Sequence, residues 1–116
     1  MIRKRHQMHS ERREQMRGGP GHVDIRHLFS KDEIKARTRL CAILTIPPGS
    51  GIGLHLHEAE DEIYLILSGS GVIDDGTTKS VVETGDAILT GNGASHSVLN
   101  TGTVALEIMA MIMTYA

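Results

Sequence analysis

Short runs of alternating apolar and polar residues fill most of the chain, and glycine-bearing turns separate them. In residues 37–46, Leu40, Ala42, Leu44 and Ile46 fall at every second position, which places them on one face of a strand. Many short strands at close spacing favour a β-sandwich or barrel. The predicted strands span residues 23–29, 37–46, 52–57, 62–67, 71–74, 79–83, 87–89, 95–99 and 104–113.

One segment, residues 30–36, has a helical pattern, with Ser30 as the N-cap and Glu33 as its capping-box partner. A chain of 116 residues suffices for one domain with one core. Residues 1–22 are basic and rich in glycine, whereas the strand pattern begins at residue 23. We therefore expect an N-terminal arm over residues 1–22 and a β-barrel domain over residues 23–116.

The composition narrows the class of protein. Hydrophobic residues make up 40% and charged residues 22% of the chain, as in soluble globular proteins. The formal net charge of -2 gives no general attraction to nucleic acid or membrane. No apolar run approaches the roughly 18 residues of a membrane-spanning helix. Basic residues cluster within residues 1–17, but no aromatic side chains alternate with them, so a solvated arm is favoured over nucleic-acid binding.

The single cysteine, Cys41, rules out an intramolecular disulfide, which fits a reducing compartment. It lies among apolar residues in the middle of a predicted strand, so a buried structural role is favoured over a reactive one. The basic N-terminus is not followed by the apolar stretch of a signal peptide. These features predict a cytoplasmic protein.

The sharpest chemical signal is His55-Leu56-His57 followed by Glu62. Residues at i and i+2 of a strand point to the same face, so both imidazoles project together. A short turn would bring Glu62 back beside them, and His96 offers a further imidazole. Such donors suit a divalent ion such as Mn, Fe, Co, Ni or Zn. A His-x-His pair alone is as typical of surface or hydrogen-bonded core histidines as of a metal site.

The spacing of these residues resembles the two motifs of the cupin superfamily. The first motif is matched in full, by Gly49, His55, His57, Glu62 and Gly69. The second motif is matched by Gly85, Gly93, His96 and Asn100. The departure is Gly91, which stands where the family usually has proline. This change affects the rigidity of a turn and leaves the four candidate metal ligands in place.

The resemblance implies an all-β fold, a double-stranded β-helix (jelly-roll) cupin barrel. It also implies that His55, His57, Glu62 and His96 hold one divalent metal ion and leave coordination positions open for water or a ligand. Cupins of this type hold Mn, Fe, Ni, Zn or Co, and we favour Mn or Fe.

Two further kinds of residue are candidates for the pocket. Tyr64 shares a strand face with Glu62, so it could donate a proton to a bound ligand as a catalytic residue, or it could be a core tyrosine. An anionic ligand would also need a cation. The candidates are Arg17, next to a glycine-rich stretch that could close the pocket or be a flexible lead-in, and Arg37 and Arg39 on one strand.

Several functions are compatible with the sequence. The resemblance implies a metal-dependent cupin that binds or transforms a small carboxylate, keto acid or sugar, with lyase chemistry like that of oxalate decarboxylase-related single-domain cupins. The alternatives are a small-molecule binding or sensing module without turnover and an iron-dependent dioxygenase. An enzyme and a binding module are therefore both compatible with the sequence. The last predicted strand is apolar on both faces, which favours a homodimer.

Overall fold

Ten strands make up most of the protein. The computed structural model describes residues 1–116 and contains two 3-10 turns, Arg5–Gln7 and Met16–Gly18, besides the strands. The strands are β1 (His9–Glu14), β2 (His22–His27), β3 (Thr38–Ile46), β4 (Gly51–Leu56), β5 (Glu60–Ser68), β6 (Ser70–Asp74), β7 (Lys79–Glu83), β8 (Ala87–Gly91), β9 (Ser95–Leu99) and β10 (Leu106–Thr114).

The strands form two antiparallel sheets that face each other. The larger sheet has six strands in the order β1-β2-β3-β10-β5-β8, and the smaller has four in the order β4-β9-β6-β7. Successive strands thus cross repeatedly from one sheet to the other, as in a jelly roll. The predicted all-β, double-stranded β-helix fold is confirmed. None of the helical segments has the length and apolar character needed to cross a membrane.

The core lies between the two sheets and consists of the inward residues of each strand. On β10, for example, Leu106, Ile108 and Ala110 are fully buried, and Ile52 of β4 and Val98 of β9 face them from the other sheet. Burial of one such leucine, isoleucine or valine side chain contributes about 1.5–3 kcal/mol. The period-two alternation seen in the sequence therefore reflects this packing.

The N-terminal arm contains a strand that its hydrophobic pattern did not predict. β1 pairs antiparallel with β2 along its whole length, from His9 opposite His27 to Glu14 opposite His22. Most of its side chains are exposed, so no apolar alternation marks it. Backbone pairing, rather than burial, places this segment on the sheet.

The predicted helix at residues 30–36 is wrong, because this segment forms a turn. The capping-box contacts do form: the Ser30 N–H donates to Glu33 Oε1 at 2.8 Å, and the Glu33 N–H donates to Ser30 Oγ at 3.3 Å. Only Ile34 makes a helical backbone bond, to the Ser30 carbonyl. The chain enters β3 at Thr38, and so short a segment does not offset the unfavourable nucleation of a helix.

Candidate metal centre

Three strands bring the four predicted ligands to one point between the sheets. His55 lies on β4 directly opposite His96 on β9. His57 follows the end of β4, where its N–H donates to the Ala94 carbonyl and its carbonyl accepts from the Gly93 N–H. Glu62 lies on β5, in the other sheet. The motif residues, dispersed over 42 positions of sequence, thus meet because the two sheets face each other.

The donor atoms of these side chains lie within 4.8 Å of one another. His96 Nε2 is 2.9 Å from His57 Nε2, 3.1 Å from His55 Nε2 and 2.9 Å from Glu62 Oε1. His57, Glu62 and His96 are buried, and His55 is partly exposed. Three imidazoles and one carboxylate therefore converge at a site almost shielded from solvent.

The opposite nitrogen of each ring has a partner outside the cluster. His55 Nδ1 lies 2.7 Å from the Gly53 carbonyl oxygen, His57 Nδ1 lies 3.1 Å from Glu60 Oε2, and His96 Nδ1 lies 3.0 Å from Thr90 Oγ1. Donation of the Nδ1 proton to these oxygens leaves the Nε2 lone pair of each ring facing the centre. Metal-binding histidines are held by outer contacts of this kind.

The cluster fits a divalent metal ion. Glu62 Oε1 is buried, and no group donates a hydrogen bond to it, although two imidazole nitrogens lie within 3.0 Å. When Nδ1 of His57 and of His96 donates to its outer oxygen, both of these nitrogens present lone pairs rather than protons to Glu62 Oε1. Such an arrangement of electron pairs around a carboxylate is unfavourable unless a cation lies among them. The residues His55, His57, Glu62 and His96 could therefore hold a metal ion.

Burial also sets the protonation of two groups at the site. Burial is the main cause that lowers the pKa of His55. The neighbouring imidazoles lower this pKa further, whereas the Gly53 carbonyl and Glu62 raise it. Burial likewise raises the pKa of Tyr64 well above its usual range, and the Glu62 carboxylate adds to this. A neutral His55 is the form that binds metal, and Tyr64 keeps its proton.

Tyr64 reaches the cluster as a packing partner. Its ring stacks on that of His96, with the centroids 4.9 Å apart and the planes 21° from parallel. The side chain is 2% exposed and belongs to the hydrophobic core, yet it also lines the cavity in front of the cluster. Its assignment as a catalytic residue stays a prediction.

A cavity of about 150 Å³ opens on the cluster. His55, His57, Glu62 and Tyr64 form one part of its wall, and Leu40, Leu44, Ile52 and Ile112 supply apolar surface. Three arginines also line it: Arg13, Arg17 and Arg39.

Of the arginines considered in the sequence, Arg37 does not line this cavity, and its guanidinium donates to the Tyr115 carbonyl at 2.7 Å. Arg39 lines the cavity but is paired with Glu60, at 2.8 Å. Arg17 lines the cavity as well, and its guanidinium makes no ion pair or hydrogen bond with the protein. The site is therefore positively charged on its arm side.

The family model of the cupin domain matches residues 42–112, more than half of the chain. The chain is a cupin. This cupin is 43% identical over 113 residues to the oxalate-binding protein of Thermotoga maritima, and the match covers 97% of this chain and 93% of that protein. It is also 34% identical over 85 residues to an uncharacterised protein of Methanocaldococcus jannaschii, covering 73% of this chain and 68% of that one.

Solved structures show the same fold. A crystal structure of a predicted oxalate decarboxylase from Thermotoga maritima superimposes on the cupin with a TM-score of 0.93 at 43% identity, covering 98% of this chain and 99% of that one. A cupin-like protein from the same organism gives a TM-score of 0.73 at 18% identity, covering 84% of this chain and 72% of that one. The second likeness supports the fold alone.

Sequence reasoning missed the residues that orient the histidines. Thr90, on the preceding strand β8, is bonded to the ring of His96, and no fixed motif position marks it. Glu60, the first residue of β5, lies between His57 and Arg39. Thr90 lies two residues after Ile88 and therefore on the same inward face of β8. This alternation was the sequence feature that could have identified Thr90.

The departure from the family motif at Gly91 has a steric reason. A Cβ atom at this position would lie 2.0 Å from Asp61 Oδ1 and 2.8 Å from the Glu60 carbonyl oxygen. Asn100, the last residue of the second motif, is buried and donates to the carbonyls of Ile46 and Val104, each at 2.8 Å. Asn100 therefore joins the end of β9 to the end of β3 and to the segment that precedes β10.

Proposed function

We propose that this cupin binds a small dicarboxylate of the oxalate class through one divalent metal ion held by His55, His57, Glu62 and His96. The observation that carries this proposal is that His55, His57 and Glu62 of the cluster line the same cavity, of about 150 Å³, as the unpaired Arg17. Its volume suits a ligand of a few atoms. The relationship to an oxalate-binding protein supports the same ligand class.

We propose Mn or Fe as the ion, as the cupin resemblance implies, because imidazole and carboxylate donors by themselves suit Mn, Fe, Co, Ni and Zn alike. When bound, the metal would offer open positions for carboxylate oxygens and would polarise them. The protein contributes an apolar wall that limits water, including Leu44 and Ile52, and fixed imidazole orientations. A small anion that enters this cavity meets positive charge and little competing solvent.

The acidic groups that line the cavity favour binding without turnover over decarboxylation. Decarboxylation of hydrogenoxalate to carbon dioxide and formate breaks the carbon–carbon bond and requires a proton at the remaining carbon. Glu62 is the sole carboxyl group of the cavity wall and belongs to the candidate metal ligands. A general acid works best with a pKa near the working pH, and burial moves Tyr64 away from that range.

Decarboxylation is the second candidate, because Tyr64 is a protonated acid on the cavity wall. In that case Tyr64 would deliver the proton. Dioxygenase chemistry is a third outcome that the same experiment tests.

The test measures metal content and ligand binding together. Untagged protein is loaded with Mn, and its metal is quantified by inductively coupled plasma mass spectrometry beside His57→Ala and a matched control, His6→Ala, whose side chain is exposed. We expect one ion per chain in the wild type and the control, and its loss in His57→Ala. Isothermal titration with oxalate should then show binding only in the loaded proteins.

Other results would change the assignment. Absence of metal in the wild type after reconstitution would contradict the proposal. Formate released from oxalate would establish the decarboxylase, and oxygen consumption with an iron-loaded sample would establish the dioxygenase.

We also propose a homodimer formed through the outer face of the six-stranded sheet. Adjacent strands place apolar side chains in register there: Met109 lies between Ile43 and Leu65, and Met111 lies between Cys41 and Ile63. Leu89, opposite Ile63, is 70% exposed and extends this face on β8. A second copy of the same face would bury these side chains in a two-fold arrangement.

A further inference from the structure

The unpaired guanidinium of Arg17 distinguishes it from the other arginines of the cavity wall. Arg13 lies 2.7 Å from Glu11, and Arg39 lies 2.8 Å from Glu60, so a carboxylate already neutralises each. Arg17 has no such partner. Because a guanidinium stays charged at all working pH values, Arg17 is an open anion-binding group on the wall of the cavity that His55, His57 and Glu62 also line.

The backbone of the arm fixes the position of Arg17. Arg17 has φ 54° and ψ 28°, a left-handed conformation that is unfavourable for a residue with a side chain. Hydrogen bonds hold the loop in this shape: Gln15 N–H to the Gly21 carbonyl, Gly18 N–H to Gln15, Gly19 N–H to Met16, and Gly51 N–H to Pro20. Strain that the surrounding structure maintains in this way is typical of functional segments.

Glycines on both sides allow the arm to lie directly against β4. A Cβ atom on Gly53 would be 2.0 Å from the Arg17 carbonyl oxygen, and one on Gly19 would be 2.5 Å from the Gly51 carbonyl oxygen. The Gly53 carbonyl also accepts from His55 Nδ1. The same short stretch of β4 therefore docks the arm and orients one candidate metal ligand.

From these contacts we infer that Arg17 binds the second carboxylate of the ligand and makes the site selective for dicarboxylates over monocarboxylates. This inference rests on the proposed function. The metal would hold one carboxylate, and the planar guanidinium is suited to grip another through two parallel hydrogen bonds. A monocarboxylate uses only the metal, so Arg17 adds little to its binding.

The experiment compares Arg17→Gln with Arg12→Gln. Arg12 lies on the same arm, and its substitution removes the same charge. It is a matched control because it pairs with Asp24 and does not line the cavity. Titration of Mn-loaded proteins with oxalate and with formate should show oxalate affinity reduced roughly 10- to 100-fold in Arg17→Gln. Formate affinity should change less than about threefold, and Arg12→Gln should match the wild type for both anions.

Metal content, measured on the same samples, separates the possible failures. Arg17→Gln with one ion per chain and wild-type oxalate affinity would overturn the role of Arg17 and leave the proposed function intact. A wild type that takes up metal but binds no oxalate would overturn the proposed function itself, and this inference with it. Equal losses of oxalate and formate affinity in Arg17→Gln would contradict selectivity for the second carboxylate. Arg17→Lys, which keeps the charge without the planar fork, should recover part of the oxalate affinity.

Discussion

Thr90 and His96 are joined across the turn between β8 and β9, where Thr90 Oγ1 lies 3.0 Å from His96 Nδ1. Both side chains are buried, so the hydroxyl is the group that orients this ring. The histidine therefore presents Nε2 to the other members of the cluster. This contact links a residue at a variable position of the second motif to the candidate metal centre.

Thr90→Val should weaken metal binding about tenfold or more, because the ring of His96 loses its outer partner while the shape of the side chain is kept. Competition with a chromogenic chelator measures the affinity. The matched control is Thr84→Val, whose side chain is exposed. Equal metal affinities for the two variants would show that Thr90 does not orient His96.

Tyr64→Phe should retain metal content and oxalate affinity within about threefold, because the ring that stacks on His96 is kept. Tyr64→Ala should lower the free energy of unfolding by about 3–5 kcal/mol, as expected when a buried aromatic side chain is removed. Urea denaturation monitored by circular dichroism measures the second effect. If wild-type protein releases formate and Tyr64→Phe does not, Tyr64 is the proton donor of a decarboxylase instead.

The arm should be anchored by Glu33 in a pH-dependent way. The hydrogen bond from Arg3 and the Ser30 N–H lower the pKa of Glu33 from 4.5 to about 2. Because the pKa is lower in the folded state, this contact stabilises the arm above about pH 4.5 and is lost as the pH falls through about 2. In Arg3→Gln the pKa of Glu33 should rise part of the way back towards 4.5.

Nuclear magnetic resonance titration of the Glu33 carboxyl carbon measures this midpoint. The matched control is Arg5→Gln, an exposed arginine of the same arm that pairs with no carboxylate. A midpoint near 2 in both variants would contradict the role of Arg3.

Met111→Glu should convert the proposed homodimer into a monomer, since it places a charge in the middle of the apolar outer face, between Cys41 and Ile63. Sedimentation velocity at micromolar concentration measures the assembly. Val81→Glu, on the outer side of the smaller sheet and 77% exposed, is the control and should leave the dimer intact. A monomeric wild type at that concentration would overturn the dimer.

The sequence by itself determined the fold class and the residues of the cluster. Period-two alternation predicted each strand from β2 to β10, because alternate residues of a strand in a two-sheet barrel face the core. Motif spacing then pointed to His55, His57, Glu62 and His96, which the structure brings together. The alternation was readable because it depends on local geometry, and the ligand set because its spacing resembles the two cupin motifs.

Only the tertiary structure decided which other residues reach the site. β1 is polar and has no periodic pattern, since its place on the sheet depends on backbone pairing with β2. Arg17 and Arg37 carry the same side chain, yet the docking of the arm on Gly53 places Arg17 at the cavity while Arg37 bonds a carbonyl elsewhere. Thr90 likewise meets His96 because β8 and β9 lie in different sheets that pack face to face. Contacts of this kind arise between segments whose distance in space is set by the packing of the whole chain, and no local pattern encodes that distance.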